Sequence, residues 1–450
     1  MLRRNLFLSG AAAVAGLALP ALPWLAQGRG AGPARSSASS LRDAAREAYI
    51  FTLPLIENAA ARSRMLTQVG PTGMRHVRTL ATPASRAVTT PNNDTIYSAG
   101  WVDLDSGPVT LVLPPTGRRY VSLALMDMYT NNFAILGTRT TGPDGGRFTL
   151  VGPLQATRDP AAIRAPTRWV WVLARVLVDG PEDLAAAHAV QNGIRIEGWK
   201  GPVARPAAKR EAPWPEYFRS AQALVVENPP PVTDEAILRR IAPLGLTRAG
   251  GFDPARFSPA QAAEIAAGLE EARRAVRLEA GSLQVVQGWS YPRSTLGDFG
   301  QDYLFRAQVA LTGLAALTTQ EATYMRAVTP SGEFIHPGGG AYRLHFPAGQ
   351  TPPVDGFWSL TMYEPTDAGQ FFLSANPLNR YSIGDRTPGL KRTPDGSRDI
   401  WIGHADPGAA RLSNWLPAPA GPFGLFLRAY LPRAEFVDGR YRVPPLQRAT

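Results

Sequence analysis

VTLVLP at residues 109–114, followed by YVSLALMDMYTNNF at 120–133, is echoed by YRLHFP at 342–347, followed by FWSLTMYEPTDAGQF at 357–371. Ser122 and Leu123 align with Ser359 and Leu360, and Asp127 aligns with Glu364. Each stretch is a short run rich in β-branched and aromatic residues, closed by Pro, Asn or Gly, which is the signature of a strand ended by a turn. Two readings are open. Two amphipathic strands can resemble each other by chance, or the chain repeats a unit. A repeat implies two β-sandwiches, each burying one sheet face against another.

Outward from the echo, the chain alternates helical and β-rich regions. LRDAAREAYIFTLPLIENAAARSRML at 41–66 has apolar residues at helical spacing, with Pro54 placed to kink or divide the helix. Short β-patterned runs fill 87–151 and continue in WVWVLARVLV at 169–178, and PEDLAAAHAVQNG at 181–193 reads as a short helix. Residues 200–231 are rich in proline and read as a linker or surface excursion. Ser258 is an N-cap, Pro259 the first helical residue and Gly281 the stop of an amphipathic helix. DYLFRAQVALTGLAALTTQEATYM at 302–325 reads as a second, buried helix, and strand patterns resume from Tyr342 to the end. The expected organisation is a leader at 1–35, a helix with a first β unit at 36–199, a linker and helical segment at 200–296, and a buried helix with a second β unit at 297–450.

Composition removes whole classes of chemistry. The chain has 450 residues, 44% of them hydrophobic, and no cysteine, so disulfides, thiolate nucleophiles and cysteine-ligated metals are absent. The formal charge of +11 comes from scattered arginines, with Lys200, Lys209 and Lys391 the only lysines, so no clustered nucleic-acid footprint exists. Arg3 and Arg4 before an apolar run from Gly10 to Leu19 predict twin-arginine export to the periplasm or beyond, with no stable membrane span once the leader is removed. Gly-x-Gly-x-x-Gly, phosphate-loop and Gly-x-Ser-x-Gly motifs are missing, and no cofactor is expected. His76, His188, His336, His345 and His404 never stand at paired-ligand spacing, so no metal site is assigned.

What remains is a set of polar and aromatic clusters in turns. Asn92, Asn93, Asp94, Tyr97 and Trp101 form one, in TPNNDTIYSAGW, and Asp127, Tyr129, Asn131 and Asn132 form another. Trp358, Tyr363 and Asp367 form a third, and NPLNRYSIGD adds Asn376, Asn379, Arg380 and Tyr381. Amides and carboxylates beside flat rings suit a ligand with hydroxyls on one face and C–H groups on the other, such as a sugar. The bland alternative is that the Asx residues close their own turns and the rings fill cores.

TPNNDTIYSAGWVDL with RRYVSLALMDMYTNNFAILGTRTTG resembles a bacterial family known as domain of unknown function 1254. GFWSLTMY, NRYSIGD, PDGSRDIWI, NWLPAP and GPFGLFLRAYLP resemble its usual companion, domain of unknown function 1214. The resemblance implies a mainly β, α+β protein built from two jelly-roll-like antiparallel sandwich units with helical additions. It supplies no catalytic residues.

From the residues themselves, the leading expectation is an exported hydrolase acting on a carbohydrate-like substrate. Asp94 with Asp127, or Glu364 with Asp367, would supply acid and base, and the aromatics and amides would bind a small-molecule or glycan substrate. A noncatalytic periplasmic binding or scaffold protein is the rival, and a metal-dependent enzyme is a third reading.

Overall fold

The computed structural model describes residues 40–70, 72–201, 206–278 and 284–449. The expected leader and Gly281 lie outside these residues.

Nineteen of the strands described here belong to two units of closely similar connectivity. In the first, the strands Arg75–His76, Thr95–Asp103, Trp169–Leu177, Val121–Met126 and Asn132–Gly137 lie side by side in that order. Against this sheet packs a second, ordered Ile163–Arg164, Gly146–Val151, Val109–Leu113 and Arg195–Glu197. Alternation along the strands directs Ile96, Leu123, Leu125, Val170 and Val172 from one sheet, and Leu111, Leu113 and Leu150 from the other, into a shared core.

The second unit repeats the plan. Trp289–Tyr291, Ala322–Ala327, Gly424–Pro432 and Val354–Pro365 follow one another, with Phe371–Leu373 and Ser382–Gly384 both pairing to the last. Its facing sheet is ordered Trp415–Pro417, Arg398–Gly403, Tyr342–Phe346 and Leu446–Arg448. Even the single parallel contact recurs at the same place, between the edge strand and its neighbour in each facing sheet. The echo in the sequence therefore has an architectural counterpart, and its alignment of Ser122 with Ser359 is the structural equivalence as well.

A helical layer covers part of the first sheet's outer face. The helix Leu41–Leu66 passes unbroken through Pro54, and the helices Trp214–Glu227, Glu235–Ile241, Pro259–Leu278 and Tyr303–Thr312 pack around it over Trp101, Trp169 and Trp171. Ser258 caps its helix as expected, in a reciprocal box in which Gln261 N–H reaches Ser258 Oγ and Ser258 N–H reaches Gln261 Oε1.

Two expectations fail. The stretch 302–325 is not one helix: it ends at Thr312, and Ala322–Ala327 is a strand that pairs with Gly424–Pro432. Gly313 stops the helix, and the alternation of ATYMRA follows the sheet period. Nor is 200–231 only a linker, since Trp214–Glu227 is a helix that buries Tyr217, Phe218, Ala221, Leu224 and Val225. Pro213 and Pro215 stand at its start, where proline is tolerated. Among the described residues, no helix is long and apolar enough to cross a membrane.

The repeat includes one close backbone approach. A Cβ on Gly137 would stand 2.1 Å from the Val121 carbonyl oxygen, and one on Gly384 would stand 2.1 Å from that of Trp358, the equivalent residue. Gly384→Ala is therefore expected to lower stability by about 1–3 kcal/mol. Gly137→Ala should cost more, because Gly137 also has a φ of 129°. Urea denaturation of both variants checks the order.

Candidate functional site

One row of side chains is common to both units. In the first, Tyr97 and Ser122 flank Arg175 directly across neighbouring strands, and Gly137 lies beyond Ser122. In the second, Tyr324 and Ser359 flank Arg428, and Gly384 lies beyond Ser359. The two sheets meet along these faces. Tyr120, Ala124, Ile135 and Leu177 from one unit share an apolar cluster with Ala322, Phe357, Tyr430 and Leu431 from the other.

The ends of the seam are tied by ion pairs that cross between units. Asp94, directly before its strand, is 2% exposed. Its Oδ1 accepts from Arg386 Nη2 at 2.9 Å, and its Oδ2 accepts from Ser359 Oγ at 2.6 Å, both in the second unit. Glu321 holds the equivalent position before its strand, and it accepts from Arg139 Nε at 2.6 Å and from Tyr120 O–H at 3.0 Å, both in the first unit. Arg139 and Arg386 both stand two residues after the glycine of the row. Each unit thus gives an acid to the other and receives one, while within each unit the backbone fixes the acid in the same way: Val178 N–H bonds the Asp94 carbonyl, and Leu431 N–H that of Glu321.

The two central arginines differ in their partners. Arg428, 2% exposed, donates to Thr361 Oγ1 at 2.8 Å, to Tyr363 Oη at 2.6 Å and to the Thr90 carbonyl at 3.2 Å. The positions equivalent to Thr361 and Tyr363 hold Ala124 and Met126, which offer no acceptor. Arg175, 6% exposed, accordingly donates only Nη2, to the Ala315 carbonyl at 2.8 Å, while its Nε and Nη1 have no protein partner. Its guanidinium lies 5.4 Å from the Tyr97 ring centre. Tyr324 is within electrostatic reach of Tyr97, Arg175 and Arg428, and its hydroxyl pairs with that of Tyr430 at 2.8 Å. Asn92 Nδ2 donates to the same Tyr430 hydroxyl at 2.6 Å, and Tyr97 and Tyr324 both keep partial exposure.

The residues proposed from sequence divide into four groups. Asn92, Asp94, Tyr97 and Tyr363 gather at this seam, where Tyr363 O–H donates to the Pro91 carbonyl at 2.7 Å. Asn92 also closes its own turn by accepting from Asp94 N–H, and Asn93 donates to the Ala81 carbonyl. Asp127, Tyr129, Asn131 and Asn132 form a separate buried cluster at the far end of the first sheet. There Asp127 accepts from the N–H groups of Tyr129 and Asn131 and from Asn131 Nδ2. Tyr129 O–H bonds the Asn228 carbonyl, and Asn132 Nδ2 those of Gly297 and Ala316. Trp101, stacked on Trp171, and Trp358, against Phe346, belong to cores. Glu364, Asp367 and Asn379 are exposed, Tyr381 bonds Asn379, and Arg380 donates to the carbonyls of Leu412, Ser413 and Trp415.

The carboxylate pairing expected from sequence therefore fails. Asp94 lies one residue before the level of Leu177, and Asp127 one residue after the level of Trp171, so they occupy opposite ends of the strand Trp169–Leu177. At about 3.3 Å per residue they are roughly 25 Å apart, far beyond the 5–10 Å that glycoside hydrolysis requires. Glu364 and Asp367 sit on a solvated hairpin, outside any enclosed site. Reasoning from sequence missed Arg175, Arg428, Arg139, Arg386, Glu321, Tyr120, Tyr324 and Tyr430. A signal existed: a single arginine inside WVWVLARVLV and another inside FGLFLRAYLP are charges in strands buried on both faces, which need a reason.

Two outcomes test this geometry. Arg386→Met leaves the Asp94 carboxylate buried without its cation and should cost about 3 kcal/mol, with Asp94→Asn restoring part of the loss in the double variant. Burial raises the Asp127 pKa from 3.8 to about 6, against the opposing N–H donors and Arg306. The folded state then holds that proton more tightly than the unfolded chain, so stability falls as pH rises from about 4 to about 6 and is level above. Asp127→Asn should remove that slope from a pH series of unfolding free energies.

Comparison with known proteins agrees with the two-unit division. Residues 72–198 match the model for Protein of unknown function (DUF1254), and residues 321–434 match that for Protein of unknown function (DUF1214). The crystal structure of the VPA0106 protein from Vibrio parahaemolyticus superposes with a TM-score of 0.69 at 23% identity, covering 91% of this chain and 100% of that one. An uncharacterised protein from Burkholderia cenocepacia gives a TM-score of 0.44 at 11% identity, covering 89% and 87%. No curated protein matches the chain. The seam joins the segments matched by the two models, and the chain belongs to the family of proteins in which a DUF1254 unit is followed by a DUF1214 unit.

Proposed function

We propose that this is an exported ligand-binding protein, and that a small hydroxyl-bearing organic acid occupies the seam with its carboxylate on Arg175. The observation that carries this reading is the pair of buried, unpartnered donor groups on Arg175, Nε and Nη1, set beside an otherwise equivalent Arg428 that leaves only Nε unpartnered and has both Nη groups engaged. Leaving two donor groups of a buried guanidinium without acceptors is costly, and an anionic oxygen supplies a charge-assisted acceptor to such a group. The partly exposed rings of Tyr97 and Tyr324 add hydroxyls and flat apolar faces, the combination that suits a sugar acid. Export rests on Arg3 and Arg4 in the leader sequence.

Binding is favoured over hydrolysis because the acids at the seam are engaged. Asp94 and Glu321 are each bonded to an arginine and a hydroxyl, and Asp127 is too distant to cooperate with Asp94. Among the described residues, no three His, Asp or Glu side chains gather as a metal would need.

Calorimetric titration with glucuronate, gluconate and glucose, with mass spectrometry of the mixtures, tests the reading. The acids should bind and glucose should not, and Arg175→Gln should weaken the acids by about tenfold or more, as expected for loss of charge-assisted hydrogen bonds. Equal binding by the parent and Arg175→Gln would refute the site, and a cleaved product would return the enzyme reading to first place.

A further inference from the structure

The repeat also shows where the second unit carries something the first does not need. In the first unit, residues 104–108 link the long strand to the facing sheet, whereas the equivalent link in the second unit runs through residues 328–341. This longer segment forms most of the wall of a pocket of about 1040 Å³, which is completed by Tyr342, Phe371 and Leu446 among others. The volume is that of a site for a small organic molecule.

The segment is held in place by His336. Its N–H bonds the Phe423 carbonyl at 2.8 Å and Phe423 N–H bonds its carbonyl at 3.0 Å, while the imidazole stacks on the Phe423 ring at 5.4 Å. His336 is 4% exposed with Nε2 unpartnered, and burial lowers its pKa, so the ring is a neutral aromatic wall rather than a cation. Phe334, Ile335 and Phe371 make much of the lining apolar, and Ile335 is 39% exposed. Two charges lie on the rim. Glu333 accepts from Ser331 Oγ at 3.4 Å, and Arg448 rests 5.6 Å from the Tyr342 ring centre, with no acidic side chain among the described residues paired to it.

We propose that this pocket binds a long-chain carboxylic acid, with its chain along Phe334, Ile335 and Phe371 and its carboxylate on Arg448. Burial of the chain supplies the affinity and Arg448 selects the head group. The exposed Glu333 opposes an anion and sets the limit on that selectivity. This site is separate from the seam and stands whether or not the seam takes a sugar acid.

Titration calorimetry of the full chain with decanoate, dodecanoate and tetradecanoate, below their micellar concentrations, and with dodecanol tests it. Affinity should rise about fourfold per methylene. Arg448→Gln should weaken dodecanoate about fivefold and Glu333→Gln should tighten it by a similar or smaller factor, as for exposed charge pairs. Ile335→Asp, at an exposed position that folding does not require, should weaken it at least as much as Arg448→Gln, and Arg175→Gln should leave it unchanged. The proposal is overturned by dodecanol binding as tightly as dodecanoate, by absence of a chain-length trend, by binding indifferent to Ile335→Asp, or by loss of binding in Arg175→Gln, which would move the acid to the seam.

Discussion

The exchange of buried charges across the seam is the constraint on which the rest of the molecule turns. Asp94 and Glu321 are each removed from water at the root of a central strand, and each is met there by an arginine from the other unit, without which the buried acid would lack a counter-charge. Neither unit could bury that face alone without leaving a carboxylate and an arginine unmatched. The geometry is that of an isologous dimer interface, in which residue i meets j and j meets i, realised here between two halves of one chain. Small differences break the symmetry. Tyr120 donates to Glu321, whereas Phe357 at the equivalent place has no hydroxyl and instead lies under the Arg386 guanidinium at 4.2 Å.

Asymmetry between repeats is also where ligand chemistry becomes visible. The same Tyr-Arg-Ser row is built twice, and in the second unit Thr361 and Tyr363 engage both Nη groups of the arginine. In the first, Ala124 and Met126 remove those acceptors, and Arg175 keeps two buried N–H donors. The longer link at 328–341 is the other departure from the repeat, and it forms the main pocket wall. A comparison of the chain with itself thus separates what holds the fold from what is additional to it.

Much of the architecture was legible in the sequence. The echo of YVSLALM in FWSLTMY, and the agreement of Ser122 with Ser359, pointed to a repeated β unit because strand patterning is local and period 2 is specific. The cap at Ser258 was equally local. The stretch 302–325 misled because Gly313 inside a long apolar run is ambiguous between a tolerated interior residue and a stop, and only pairing with Gly424–Pro432 makes ATYMRA a strand. For Asp127 the turn reading was sufficient, since its carboxylate accepts from the N–H groups of its own turn, whereas Asn131 Oδ1 accepts from the remote Phe299 N–H.

By itself the sequence determined the class of the protein: no thiol chemistry, β units bearing the marks of two named domains, and turns rich in amides, acids and rings. All of these are properties of residue type and short-range spacing. The tertiary structure alone decided which charges meet. Asp94 faces Arg386 across 292 positions of chain, and the separation of Asp94 from Asp127 follows from strand order. Partnership between remote side chains depends on sheet register and the docking of one unit on another, which no local pattern encodes.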